Sequence, residues 1–406
     1  MRSTAKAVIG ANYGDEGKGL MTDYHAAPAG TAGIVVRFNG GAQAGHTVTT
    51  PEGARHVFSH FGSGSLVGAA TFLSRHVVCH PTLFFKEAAA LEAAGLPALP
   101  PVFVDGRAPV STPYDILINQ IAERHRGNGR HGSCGMGFGE TIERNLVPGF
   151  GLSVADLRHG AGYLLHRLAA IRDDYVPARL AALGIPALDA QAAEWLASDA
   201  AMQRFAHEAM RFRRATHAAG PEVLAEYAQV VFEGAQGLLL DEDRGAFPYV
   251  TRSHTGIRNA LDLAAEAGIG ALDVTYVSRA YLTRHGAGPL ANELPGKPYA
   301  GIRDSTNIPN EFQGALRFAH LDLDLLERSI RTDFADALLY PGVAATLNLA
   351  LSCLDQVGQA VSYVEHGRLN TAAPGVLAAR LAERLGAGVV YTAWGPTRDK
   401  VRRGAG

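Results

Sequence analysis

Cysteine is scarce in this chain: three residues, Cys79, Cys134 and Cys353, among 406. They are widely spaced and odd in number, which argues against a disulfide framework and against a cysteine-built zinc site. Excess positive charge is also missing. The formal net charge is -2, so nothing electrostatic favours nucleic acid or an anionic membrane as a partner. No apolar run reaches the roughly 18 residues that a membrane-spanning helix needs. No basic segment followed by an apolar run opens the sequence, so the cytoplasm is the expected compartment. Only five lysines occur, and one of them, Lys18, stands in a glycine-rich run.

What is present suits a large buried core: 47% hydrophobic and 19% charged residues. Short, β-branched apolar runs bounded by glycine recur at Ala7 to Gly10, Gly33 to Phe38, Val102 to Val104, Val230 to Glu233, Val274 to Val277, Ala345 to Leu351 and Val389 to Thr392. They do not alternate strictly, which is the pattern of strands buried on both faces of a mostly parallel sheet. Helical stretches such as Thr82 to Ala94 and Asn259 to Ala267 lie between them. The expected class is α/β, a large mostly parallel central sheet flanked by helices. The block 153–229 is rich in alanine and leucine and broken at Gly184-Ile185-Pro186 and Gly220-Pro221, so it reads as a helical lobe inserted in a single domain, 1–406. Ala360 to Tyr363 and the turn Glu365-His366-Gly367 suggest a short antiparallel ribbon.

The run at 10–19 is GANYGDEGKG. A strand that enters a glycine turn and then a helix exposes backbone N–H groups able to cradle phosphate. Gly14, Gly17 and Gly19 allow close approach, and Lys18 can reach a terminal phosphate. Against the standard loop G-x-x-x-x-G-K-[ST], Asn12 replaces the first glycine and Gly19 replaces the metal-binding hydroxyl. Asp15, a hard oxygen donor inside the loop, is the substitute for holding magnesium. A second run, Arg37 to Thr47, carries three glycines and His46 and is expected as a neighbouring loop, where a histidine can donate to an oxyanion.

GDEGKG followed by NGGAQAGHT resembles the adenylosuccinate synthetases. The resemblance continues through Val231 to Gly237 (VFEGAQG), Phe247 to Thr251 (FPYVT), Tyr281 to Pro289 (YLTRHGAGP) and a glycine-rich loop, His131 to Gly137. It spans nearly the whole chain. It implies a ligase that joins L-aspartate to the 6-position of a purine nucleoside monophosphate through a 6-phosphoryl intermediate, with Mg2+ as cofactor. On this pattern Asp15, His46 and Lys18 are catalytic, with Asp15 taking the N1 proton and, with the Gly45 carbonyl, holding the metal. The triphosphate would meet Gly14, Glu16, Gly17, Lys18, Gly19, Gly45, His46, Thr47, Asp355, Gly395 and Pro396. The purine monophosphate would meet Asp15, Asn39, Gln43, Ser133, Cys134, Gln236, Thr251 and Gly286. Arg144 falls where a neighbouring subunit's arginine reaches that phosphate, which implies a homodimer.

Two departures bear on the substrates. The arginine-rich loop for the aspartate carboxylates is replaced by the stretch 310–322, which leaves Gln313, Gly314 and Arg317, with Arg303 nearby, as aspartate ligands. The guanine motif of GTP users is reduced to Ser352-Cys353-Leu354-Asp355, so the donor is ATP or GTP, with ATP the expectation. The altered loop and the modest length look similar to the phage-type 2-aminoadenylosuccinate synthetases, many of which carry serine where Asp15 stands. The expected acceptor is dGMP, with IMP as the alternative; a nucleotide-binding switch protein is the reading from another class.

Overall fold

The computed structural model describes residues 4–96, 98–303, 307 and 313–405. In chain order the strands are β1 (Thr4–Gly10), β2 (Gly33–Arg37), β3 (His46–Thr49), β4 (Arg55–Phe58), β5 (Ala70–Leu73), β6 (Val102–Val104), β7 (His217–Ala218), β8 (Gln229–Glu233) and β9 (Ala271–Arg279). Then come β10 (Tyr281–Arg284), β11 (Glu293–Leu294), β12 (Arg317–Asp322), β13 (Ala344–Ser352), β14 (Val361–Glu365), β15 (Arg368–Ala372), β16 (Val389–Ala393) and β17 (Val401–Ala405).

Ten of these form one sheet in the order β17-β16-β13-β9-β1-β8-β2-β5-β6-β7. All its pairings are parallel except β16 with β17. The apolar runs form strands because both faces are covered. Along β1, Ala7 and Ile9 join the large core with Leu261 and Leu263 of the helix Arg258–Glu266. Val8 points the other way, to Met21 of the helix Lys18–Ala26, beside Val35, Val231 and Val277. Successive side chains on a strand face opposite sides, and each buried aliphatic side chain contributes about 1.5–3 kcal/mol. A run apolar at every position is therefore what a doubly covered strand requires.

The second sheet holds β10, β12, β14 and β15, with β11 on β12; its β14–β15 hairpin is the antiparallel ribbon. Chain segment 153–229 forms helices Gly160–Ala170, Val176–Ala182, Ala190–Ala197 and Asp199–Ala215, which pack Leu164, Leu168, Phe205 and Phe212 against Phe84 and Leu91 of the helix Pro81–Ala93. After Ala215 the segment returns to the sheet, first as the edge strand β7 and then as β8 from Gln229. The sequence reading treats 37–47 as one loop, but His46 opens β3, which pairs with β4. No helix among the described residues is long and apolar enough to cross a membrane.

Candidate active site

The glycine-rich runs converge for a topological reason. β1, β2, β8, β9, β13 and β16 are parallel neighbours, so their C-terminal ends lie along one edge, where open α/β sheets bind ligands. The segments leaving those ends are Ala11–Gly17, Phe38–Gly45, Gly234–Gly237, Ala280, Cys353 and Trp394 onward.

The loop after β1 is held from inside. Glu16, 1% exposed, accepts the N–H groups of Asn12 at 3.1 Å and Gly14 at 2.8 Å and pairs with Lys18 Nζ at 2.6 Å. Ser352 donates to the Glu16 carbonyl at 2.6 Å, and Arg279 Nε donates to the Asp15 carbonyl. Gly10 admits no side chain: an added Cβ would lie 2.4 Å from Glu16 Oε2 and 2.5 Å from the Gln236 carbonyl oxygen. Gly17 takes φ 100 at the start of the helix Lys18–Ala26, a conformation that costs glycine nothing and other residues dearly. Asp15 itself sits at φ 61, and Gln236 and Cys353 are left-handed too. Three non-glycine residues in this region around one site indicate strain held by the surrounding structure.

His46 and Glu233, 187 positions apart, form the second unit. Glu233 is fully buried and accepts from His46 Nδ1 at 2.7 Å; Ser63 donates to it through N–H and hydroxyl, and Arg37 lies 3.9 Å away. Burial alone would raise the Glu233 carboxyl, but His46, Arg37 and Ser63 outweigh it and hold the group at about 2. The ionised carboxylate accepts from Nδ1–H, so the ring presents Nε2, which is buried without a hydrogen-bond partner. Burial pushes the imidazole pKa down, and the Glu233 carboxylate opposes that shift.

Two cavities flank Asp15. One, of about 240 Å³, is lined by Asp15, Gly17, Lys18, Gly19, Gly45, His46, Thr47, Pro396 and Arg303, so it gathers most of the residues expected at the triphosphate. Arg55, Arg279, Asn307, Cys353 and Gln356 also line it. The other, of about 430 Å³, is lined by Gln43, Ser133, Cys134, Gln236, Thr251 and Gln313, together with Tyr13, Arg284 and His285. Gln43 Nε2 and Gln236 Oε1 are buried without partners there. Buried amide atoms left unpaired cost free energy, and a ligand that supplies one acceptor and one donor relieves both. Burial pushes the Cys134 thiol up to about 11, so it is a neutral lining group rather than a nucleophile.

Asp15 stands at the seam between the cavities, with Oδ2 3.2 Å from His285 Nε2. Burial would raise its carboxyl, but the His285 hydrogen bond and the Arg279, His285 and Lys18 charges hold it at about 2. It is a carboxylate at neutral pH. Asp15 and the Gly45 carbonyl supply hard oxygen donors to one cavity, a donor set that suits magnesium.

Several expected contacts do not survive the structure. Arg144 is fully buried within its own chain, where its guanidinium pairs with Asp115 at 2.8 and 3.0 Å and donates to the carbonyls of Phe150 and Val110. The residue-level argument for a homodimer goes with it. Arg317 is saturated by Glu293 and by the carbonyls of Gly286 and Gly288, because in β12 it faces the loop that follows β10. Asn39 spends its amide on the main chain of Ala235 at 2.9 and 2.7 Å, tying two loops together. The Glu16 carboxylate organises the loop from within and does not line the cavity. Asp355 is exposed, and Gln356 lines the cavity in its vicinity. Gly14, Gly286, Gly314 and Gly395 shape turns beside the cavities without lining them. Residues 310–312 of the altered loop lie outside the described residues.

Sequence reasoning passed over Glu233, Arg279 and His285. Glu233 and His285 lie inside motifs that carry the resemblance and Arg279 lies two residues before one, but the role of each depends on a partner more than 180 residues away.

Residues 7–396 match the family model for adenylosuccinate synthetase. The chain is 32% identical over 385 residues to the adenylosuccinate synthetase of Xanthomonas euvesicatoria pv. vesicatoria, covering 90% of this chain and 82% of the relative. It is 32% identical over 389 residues to that of Stenotrophomonas maltophilia, with the same coverage. Among solved structures, fully ligated adenylosuccinate synthetase from Plasmodium falciparum superposes with a TM-score of 0.73 at 19% identity, covering 98% of this chain and 99% of that one. Cyanophage S-2L succinoaminodeoxyadenylate synthetase, bound to dGMP and dATP, superposes at 0.55 and 18% identity, covering 99% and 95%. These two likenesses speak for the fold.

Proposed function

We propose, from the premise that the chain belongs to the adenylosuccinate synthetase family and is a C–N bond-forming ligase, that it condenses L-aspartate with the 6-position of inosine monophosphate at the expense of a nucleoside triphosphate. One observation carries this reading. Asp15 belongs to the phosphate-binding loop and lines its cavity, yet its carboxylate lies 3.2 Å from His285, which lines a second cavity that holds unpartnered amide atoms. A switch protein has no use for that second compartment; a phosphoryl transfer to a base requires it.

The 6-oxo group of a purine is amide-like, a weak nucleophile and a poor leaving group. Asp15 accepts the N1 proton, and the N1 electron pair moves on to the 6-oxygen. That oxygen attacks the γ-phosphorus, and the nucleoside diphosphate departs. Lys18 gives one of its three ammonium hydrogens to Glu16, lines the cavity, and neutralises charge on the phosphates with the rest. His46, oriented through Glu233 and carrying a hydrogen on Nε2 as well, donates to the charge that develops on the transferred group. The aspartate amine then adds at C6, and the oxygen leaves as inorganic phosphate. Asp15 and the Gly45 carbonyl would hold magnesium, which supplies charge neutralisation at the triphosphate when bound. Arg303, at the mouth of the triphosphate cavity, is the favoured carboxylate partner for aspartate now that Arg317 is occupied.

The expectation of dGMP gives way to IMP. The relatives that align over 90% of this chain carry the adenylosuccinate name, whereas the dGMP-bound phage enzyme shares 18% identity. Incubation with L-aspartate, Mg2+ and each pairing of IMP or dGMP with GTP or ATP, following phosphate release, tests the reading. Release should require aspartate and IMP together. Release with dGMP and none with IMP would reverse the acceptor, and release without aspartate or purine would return the switch reading.

A further inference from the structure

The contact between Asp15 and His285 determines more than the placement of a base. His285 Nε2 lies 3.2 Å from Asp15 Oδ2 and 2.9 Å from Asn307 Oδ1. The Asp15 carboxylate can only accept, so Nε2 carries the hydrogen, which Asp15 and Asn307 share. The segment that carries the ring is braced by its neighbour. Arg284, the preceding residue, is 2% exposed and donates to the carbonyls of Ala287, Pro289 and Tyr249 at 3.2, 2.8 and 3.0 Å. His285 faces the cavity assigned to the purine, and Asp15 faces the triphosphate.

The chemistry of the base edge gives this arrangement a consequence. Hypoxanthine presents the 6-oxygen, one N1–H donor and a C2–H. Guanine adds a 2-amino donor beside N1–H. A carboxylate with both oxygens free takes the two guanine donors together, in the bidentate manner that makes such pairs strong. Here a ring nitrogen that donates already stands 3.2 Å from one oxygen. The 2-amino group would meet a donor where it needs an acceptor, and a buried donor left unpaired is penalised.

We propose that His285 is a specificity-determining residue: by holding one oxygen of Asp15 it confines the site to 6-oxopurines that lack a 2-amino group. The inference rests on the reading of the site given above and sharpens its acceptor class.

The test compares IMP with GMP, which share the same ribose and differ at the 2-position. Dissociation constants of both are measured by calorimetry for wild type, His285→Leu and His285→Gln, alongside phosphate release and thermal melting. Wild type should bind IMP more tightly than GMP. His285→Leu, by freeing the second oxygen, should shift the ratio towards GMP by roughly 10–100-fold. His285→Gln, which keeps an N–H donor of similar reach, should leave the ratio near the wild-type value. A ratio unchanged by His285→Leu in a folded protein, or one changed equally by His285→Gln, overturns the inference. So does a wild type that prefers GMP. Absence of phosphate release with IMP would defeat the ligase assignment instead, and the binding ratio would still decide for or against His285.

Discussion

Asp15 carries the heaviest load of any single residue. Its backbone is left-handed, its carboxylate lies at the seam of two cavities, and its charge is sustained by His285, Arg279 and Lys18 against the effect of burial. Asparagine matches its shape but cannot accept a proton or carry the charge. Asp15→Asn should therefore lower kcat by about 10²–10⁴-fold with little change in melting temperature. Steady-state phosphate release beside a thermal melt measures both. Wild-type turnover would remove Asp15 from the chemistry. The sequence marks the loop but not which of its two carboxylates serves the cavity: Glu16 braces the loop from within, whereas Asp15 lines the cavity. His285 and Glu233 are marked poorly, since nothing local distinguishes a histidine that donates to a carboxylate from one that merely fills a loop.

Among the secondary-structure elements, charged side chains divide into those that serve the cavities and those that brace them. The helix Pro113–Arg126 begins with a capping box in which Thr112 and Asp115 satisfy each other's main chain. Arg144, on the helix Phe138–Leu146, closes on the same Asp115 and joins the two helices beneath the glycine-rich loop 131–137. Removing one partner of a fully buried pair leaves the other uncompensated, which costs about 3–5 kcal/mol. Arg144→Met should lower the urea midpoint accordingly while the folded fraction keeps its KM for the purine nucleotide. A raised KM with unaltered stability would restore Arg144 to the binding site. From the sequence, an arginine spaced after a phosphate loop reads as a ligand; only its 0% exposure and its four hydrogen bonds to three residues show otherwise.

Across the whole molecule, Asp333 joins separate parts of the fold. It accepts from Tyr276 of β9 at 2.7 Å, from the Ile257 N–H at 3.0 Å and from Arg244 at 2.9 Å. Burial lifts its carboxyl from 3.8 to about 6, more than these partners lower it. A group that binds its proton more tightly when folded contributes stability fully below its unfolded pKa and loses it as pH rises through the folded one. The difference in unfolding free energy between wild type and Asp333→Asn should thus change in favour of wild type as pH falls from about 6 towards 4. Denaturant titrations at several pH values measure it; a difference independent of pH would mean that Asp333 stays ionised in the fold.

The sequence by itself determined the fold class, the strands of the main sheet from β1 to β16 that read as apolar runs, and the loop that carries Asp15 and Lys18. Those features follow from local rules: doubly covered strands must be apolar throughout, and phosphate loops need glycine. The tertiary structure decided which charges remain available. Arg317 and Arg144 are consumed by carbonyls and carboxylates, whereas His46 and the Gln43 and Gln236 amides keep open atoms. That outcome depends on partners brought together from distant segments, and a hydrogen-bond donor already satisfied within the fold is not available to a substrate.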